Sequence, residues 1–240
     1  VYNETVARLT YRALLGRRRA ILLSILPGLL ILIAIAVRAI GGADDRVTEE
    51  VLGGFGLAAM VPLIGVIAGT GAIAPEIDDG SIVYLLSKPL PRRTIILTKL
   101  WVAIAVTMLF TTVPVLLAGM IMNGNSQQIA GAYTLAAAVA SIAYSAVFLL
   151  LGTVSRNAVV FGLIYSLIWE TLFGSIVSGA RTLSVQQWSL SLAERVAADG
   201  TGVTSDVALP TAVILLAAVT VAGTWYAIRR LTVLTVAADD

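Results

Sequence analysis

The sequence predicts an all-α integral membrane protein with six transmembrane helices, and two observations carry that expectation. Hydrophobic residues make up 58% of the 240-residue chain and charged residues 12%, with mean hydropathy +0.94, whereas about a quarter of a soluble domain is charged. The apolar residues also form continuous runs near 20–40, 51–74, 95–122, 129–153, 158–178 and 209–228. Each run is long enough to cross roughly 30 Å of hydrocarbon as a helix. Their continuity argues against a barrel, which would alternate in strands of about 10 residues.

Residues 2–19 precede the first run and read as a helix lying on the inner membrane surface. Tyr2, Val6, Leu9 and Ala13 share one face by their 4-3-4 spacing, while Arg8, Arg12 and Arg19 lie on the other side. Such a helix buries its apolar stripe among lipid acyl chains and keeps its arginines at the headgroups. Arg17 to Arg19, the apolar run and Ala34-Ile35-Ala36 imitate a signal peptide with its cleavage site. The run continues past that site and five more follow, so the first span is read as retained.

The first span leads to a short acidic outer loop, GGADDRVTEE. The second holds Pro62 and a set of glycines between Gly53 and Gly71, the third holds Pro114, and proline within a span implies a kink whose freed carbonyl is satisfied by neighbours. Gly65 and Gly69 sit at the small-xxx-small spacing that permits close helix contact. Asn123-Gly124-Asn125 turns the chain outside and Ser155-Arg156-Asn157 turns it inside. Residues 180–208 form an external segment in which Val185, Trp188, Leu192 and Val196 define an apolar stripe opposed by Gln187 and Glu194. That stripe reads as a lid resting at the outer interface or over a cavity. The Asp199 to Gly202 turn ends it before Pro210 opens the last span. No long repeat or linker divides residues 1–240, so they form a single membrane domain.

Charge sets the orientation. With the N-terminus in the cytoplasm, twelve of the sixteen Lys and Arg residues fall inside, leaving Arg38, Arg46, Arg181 and Arg195 outside. The positive-inside rule then places both termini in the cytoplasm. The net charge of +2 is too small to point to nucleic acid. Cysteine and histidine are both absent, which removes thiolate chemistry, disulfides and the usual nitrogen metal ligand. There is no G-x-x-x-x-G-K-[ST] loop to cradle phosphates, no H-E-x-x-H and no G-x-S-x-G elbow. The chain is therefore read as non-catalytic, and any ATP it uses is hydrolysed by another chain.

Two places stand out. Glu170 is the acidic residue well inside a predicted span, where an ionised carboxylate costs at least about 2.5 kcal/mol unless it faces protein or water; it is either an ion or substrate contact or a structural acceptor between helices. The second place is the charged run Pro75 to Lys99, PEIDDGSIVYLLSKPLPRRTIILTK, which holds seven of the chain's thirty Asp, Glu, Lys and Arg residues. Glu76, Asp78 and Asp79 lead into Gly80, an apolar turn with Leu85 and Leu86, a stop at Pro89 and Pro91, and then Arg92 and Arg93.

The order Glu76…Gly80-Ser81-Ile82…Leu85-Leu86…Pro89…Arg92…Lys99, set between the second and third spans, resembles the coupling segment of the type-2 ABC transporter permeases. The rest of the layout is similar: an N-terminal interfacial helix, six spans and an external amphipathic segment before the last. The resemblance implies the membrane subunit of an ATP-driven exporter in the plasma membrane of a prokaryote, surrounded by lipid. It implies that two permease copies pair to form the substrate path. It further implies two soluble ABC ATPase subunits, which hold ATP and Mg while this chain holds no cofactor. Each ATPase would engage Arg8 and Arg12 of the N-terminal helix and residues 75–93. A secondary transporter using Glu170 for ion coupling, and a membrane scaffold without transport, remain as alternatives at this stage.

Overall fold

A computed structural model of the chain describes residues 2–41, 43–82, 91–173, 182–198 and 200–233, and these are helical with no strand among them. Helix α1 (Glu4–Leu14) starts where the Asn3 side chain accepts a hydrogen bond from the Val6 amide, satisfying one of the donors that every helix start leaves open. A break at Leu15 and Gly16 separates it from α2 (Arg17–Ile40), which ends on Gly41 at φ 78°, the left-handed conformation that glycine adopts without strain.

The acidic stretch after α2 is itself helical. Asp44 caps α3 (Asp45–Glu50), accepting from the Val47 amide at 2.8 Å. From there one continuous helix descends through π1 (Val51–Met60), α4 (Val61–Gly71) and, after a break at Ile73, α5 (Ala74–Asp78). The wider π1 meets α4 at Val61-Pro62, with the Val61 amide bonded to the carbonyl of Gly56, five residues back. Proline has no amide to give the preceding turn, and Pro62 stands where five-residue hydrogen bonding gives way to the four-residue bonding of α4.

Helix α6 (Arg92–Asn123) opens after Pro91, contains Pro114 and ends on Gly124 at φ 59°. A single turn, Ser126–Gln128, leads into α7 (Ile129–Val154). After Ser155 to Asn157 come α8 (Ala158–Ile164) and its wider continuation π2 (Tyr165–Phe173). Then follow α9 (Val185–Ala193), capped by Ser184, and α10 (Leu209–Val233).

Among the described residues, five helices reach spanning length: Arg17–Ile40, Asp45–Asp78, Arg92–Asn123, Ser126–Val154 and Leu209–Val233. The sixth expected span, 158–178, is a shorter apolar helix over Ala158–Glu170, and its last residues lie outside the described set.

Helix α7 is the axis of the bundle and packs on α4, α6, α9 and α10. Its contact with α4 depends on Gly69, where a Cβ would come within 2.7 Å of the Phe148 Cβ and 3.1 Å of the Leu149 nitrogen. The Gly65/Gly69 pair thus performs the close approach expected of small-xxx-small spacing. Between α6 and α7 a hydroxyl ladder adds to apolar contact: Thr111 and Ser141 are 2.8 Å apart, and Ser145 donates to Thr107 at 3.2 Å. Helices α2 and α10 are peripheral. Ile21, Leu22, Ile25, Leu32, Ile214 and Val221 point out from them, the arrangement that hydrocarbon around the bundle favours.

Candidate functional site at the α1 end of the bundle

Helix α4 ends at Gly71, and a helix end leaves carbonyls unpaired at the negative pole of its dipole. Two cations from other helices meet them. Arg19, at the start of α2, donates to the Gly71 carbonyl at 3.3 Å, and Lys99, in the second turn of α6, donates to the Ala72 carbonyl at 2.7 Å. Lys99 has no exposed surface. Its ammonium also pairs with Glu76 Oε1 at 2.6 Å and reaches Thr10 Oγ1 at 3.5 Å. An ammonium has three donors, and here they go to three separate segments: α1, the end of α4, and α5. Burying a charge is costly unless it is paired and hydrogen-bonded, and Lys99 meets both conditions. Glu76 is the less buried partner, its side chain 28% exposed.

The same junction receives α1. The Asn3 amide donates to Thr98 Oγ1 at 3.1 Å, one residue from Lys99, and Leu14 packs where a Gly71 Cβ would sit. The buried face of α1 is Val6, Ala7, Thr10 and Leu14. Of the expected apolar stripe only Val6 turns into the protein, while Tyr2, Leu9 and Ala13 are exposed. Arg8 and Arg12 are exposed as well, Arg8 lying 3.6 Å from Glu4. Arg19 departs from the expected arginine cluster, because the break at Gly16 puts it on α2 and turns it toward Gly71.

Of the charged run between the second and third hydrophobic stretches, Glu76 is drawn into the junction. Asp78, Asp79 and Gly80 are exposed just beyond it, and Gly80 stands at φ 70°, a conformation that removes most side-chain alternatives. Arg92 is half-buried at the first residue of α6. Leu85, Leu86 and Pro89, and with them the helix expected between Gly80 and Pro89, lie outside the described residues. Lys99, Arg19 and Thr10 were not among the expected site residues. A cation embedded in the apolar run IILTKLW was the available signal for Lys99; nothing in the local sequence marks Thr10.

Away from the α1 end, Glu170 is fully buried. Its Oε1 accepts from the Tyr165 hydroxyl at 2.9 Å and the Val185 amide at 3.2 Å, and its Oε2 accepts from the Ser184 hydroxyl. Ser184 in turn caps α9 by accepting from Gln187. The carboxylate therefore sits at the N-terminus of α9, where the helix dipole favours negative charge. This places it against the first residues of the segment expected to be external, beside Tyr144 of α7. Tyr144, stacked on Phe148 at 5.8 Å, faces the same carboxylate with its buried hydroxyl.

Helix α9 is tucked between α7 and α10. Val185 and Trp188 are buried, Leu192 and Val196 are half-buried against the core, and Val196 lies beyond the helix, which stops at Ala193. The Trp188 indole donates to the Thr182 carbonyl at 2.8 Å. Two links fasten this cap to the neighbouring loops: the Gly202 amide to Glu49 at 2.9 Å and the Ala198 amide to the Gln127 carbonyl at 3.0 Å. Among the described residues no cluster of carboxylates has the makings of a metal site.

Against known proteins, a family model described as ABC-2 family transporter protein matches residues 34–193. No curated protein matches the chain.

Proposed function

The chain belongs to the ABC-2 family of transporter proteins, and from that premise we propose that it is an exporter permease working as a pair, driven by two separate ABC ATPase subunits. At the coarser level it is a multi-pass membrane permease component of an ABC transporter, a transport component that is not itself catalytic. The observation that carries the finer reading is the family match itself, which includes the whole charged segment 75–99. Its resemblance to a coupling segment gives that segment a task. The α1 end then faces the cytoplasm, and α1 with residues 75–93 forms the docking face for an ATPase that holds ATP and Mg.

The surface chemistry supports this. Arg8, Arg12, Asp78 and Asp79 are exposed at one end of the bundle, free of the apolar belt and mixed in sign, as suits a polar contact with a soluble subunit. A transport path between two copies would be apolar over much of its length, which fits a hydrophobic or amphipathic substrate. An ion-coupled mechanism through Glu170 gains no support from its geometry, since three protein donors already occupy its carboxylate.

Co-expression with a candidate soluble ABC ATPase from the same organism, followed by purification through a tag on this chain, tests the reading. A stable complex with nucleotide-dependent ATP hydrolysis is expected. Transport driven by an ion gradient in vesicles that contain this chain alone would overturn it.

A further inference from the structure

We propose that Lys99 is the positioning residue of the docking face, the pin that makes α1 and the chain beyond α4 a single mechanical unit. This rests on the reading of that face as the ATPase contact, and it goes further by naming what holds the contact in shape. The docking face is built from two pieces far apart in sequence, α1 and the segment that starts at α5. In the described residues, direct packing between these two pieces is slight: α1 is held chiefly to α6, and α5 to the end of α4 and to α7.

Lys99 joins them. One ammonium takes the Thr10 hydroxyl of α1, the Ala72 carbonyl at the end of α4 and the Glu76 carboxylate of α5. Thr10 is itself fixed, donating to the Val6 carbonyl at 2.9 Å, so its oxygen presents its remaining acceptor capacity to the lysine. Arg19 braces the neighbouring carbonyl of Gly71 and also reaches the Ala13 carbonyl at the end of α1. The chain thus leaves α4 in a direction set by cations on two other helices, not by its own propensity, since Ile73 has already left helical geometry at φ −138°.

A lysine that merely filled space would need none of this. Its stem could be replaced by methionine, which has similar length and no charge, with little effect on the placement of α1 or α5. A pin loses its function in that exchange, because the thioether offers no donor to three acceptors. Lys99 ties α5 to α1 and to α6 through one ammonium, so displacing one piece of the docking face loads the other while it is in place.

The absence of native cysteine makes the test clean. Spin labels on cysteines replacing Thr5 and Asp79, both exposed, report the distance between the two pieces in lipid nanodiscs without any ATPase. A pair replacing Arg46 and Thr204 at the opposite end serves as control. The unmodified junction should give one narrow distance distribution. Lys99→Met should broaden or split it while the control pair stays narrow, and Lys99→Arg, which restores donors, should recover part of the narrow peak. A narrow, unshifted Thr5–Asp79 distribution in a folded Lys99→Met protein overturns the proposal. If Lys99→Met disturbs the control pair too, Glu76→Gln decides, because it weakens one arm and leaves the Ala72 bond. An unchanged Thr5–Asp79 distribution there overturns the proposal, and broadening confined to that pair supports it. Failure to capture an ATPase in the complex experiment would instead count against the proposed function and leave these distances to judge the pin.

Discussion

Glu170 and Ser184, fourteen residues apart, are joined side chain to side chain, and the bond ties the end of one apolar helix to the cap of the next. The carboxylate thereby replaces the acceptors that the start of α9 lacks. Its second oxygen takes the Val185 amide and the Tyr165 hydroxyl.

Glu170→Gln should therefore be mild. The carbonyl oxygen still accepts from the Val185 amide and the Tyr165 hydroxyl, and the Ser184 hydroxyl can turn to accept from the new amide group. Glu170→Leu removes every acceptor at once and leaves buried donors unpaired, at a cost of about 1–3 kcal/mol for each. Thermal unfolding in detergent is the measurement: near-native stability for Gln and a clear loss for Leu are expected. Lost transport in a Gln variant of native stability would instead assign the charge to transport.

The acidic residues near the α1 end should separate into two kinds. Glu76→Ala strands the buried ammonium of Lys99, and breaking a buried ion pair costs up to roughly 3–5 kcal/mol, reduced here because Glu76 is partly open to solvent. Asp78→Ala and Asp79→Ala remove exposed charges, and such surface changes usually stay within about 0.5 kcal/mol. Their effect should appear instead as weaker capture of the ATPase. Equal thermal stability of all three variants would show that Lys99 is held by something other than Glu76.

The contrast between Glu76 and its neighbours marks how far sequence reasoning reaches. Hydropathy located the helices, since apolar runs of that length have few alternatives in a membrane. It could not register the wider turn of π1 and π2, because changing the hydrogen-bond partner from four to five residues back leaves composition untouched. Nor could periodicity orient α1. Val6, Leu9 and Ala13 are all apolar, and a single helix pattern does not distinguish the side facing protein from the side facing lipid when both neighbours are apolar. Glu170 was legible as a buried acid because few charges sit in apolar runs, while its partners, set by tertiary contact with Ser184 and Val185, were not. Lys99 was visible as the last residue of the motif, yet its three acceptors come from positions 10, 72 and 76, which only the fold brings together.

Gly69→Ala should loosen the packing of α4 on α7. The added methyl would meet the Leu149 backbone as well as Phe148, so a side-chain adjustment alone does not relieve it, and overpacking of this kind costs about 1–3 kcal/mol. Gly54→Ala, at an exposed position with nothing within 4 Å of the new Cβ, is the matched control and should hold stability. The comparison is read by unfolding temperature, and equal values would mean that the two helices can separate without penalty.

Orientation can be tested with the same absence of cysteine that serves the distance measurements. The positive-inside rule assigns the α1 end to the cytoplasm because Arg8, Arg12, Arg17, Arg18, Arg92, Arg93 and Arg156 gather there. Asn157 belongs to that end, since Gly152, just before it, packs on Thr70 and Ile73 at the foot of α4. Arg46 and Thr204 are exposed near the links between Glu49 and Gly202 at the other end. In intact cells a membrane-impermeant maleimide should label Arg46→Cys and Thr204→Cys, while Asp79→Cys and Asn157→Cys should react only after the membrane is opened. The opposite pattern would place α1 and the charged segment outside, where no cytosolic ATPase could reach them, and would remove the basis for the docking face.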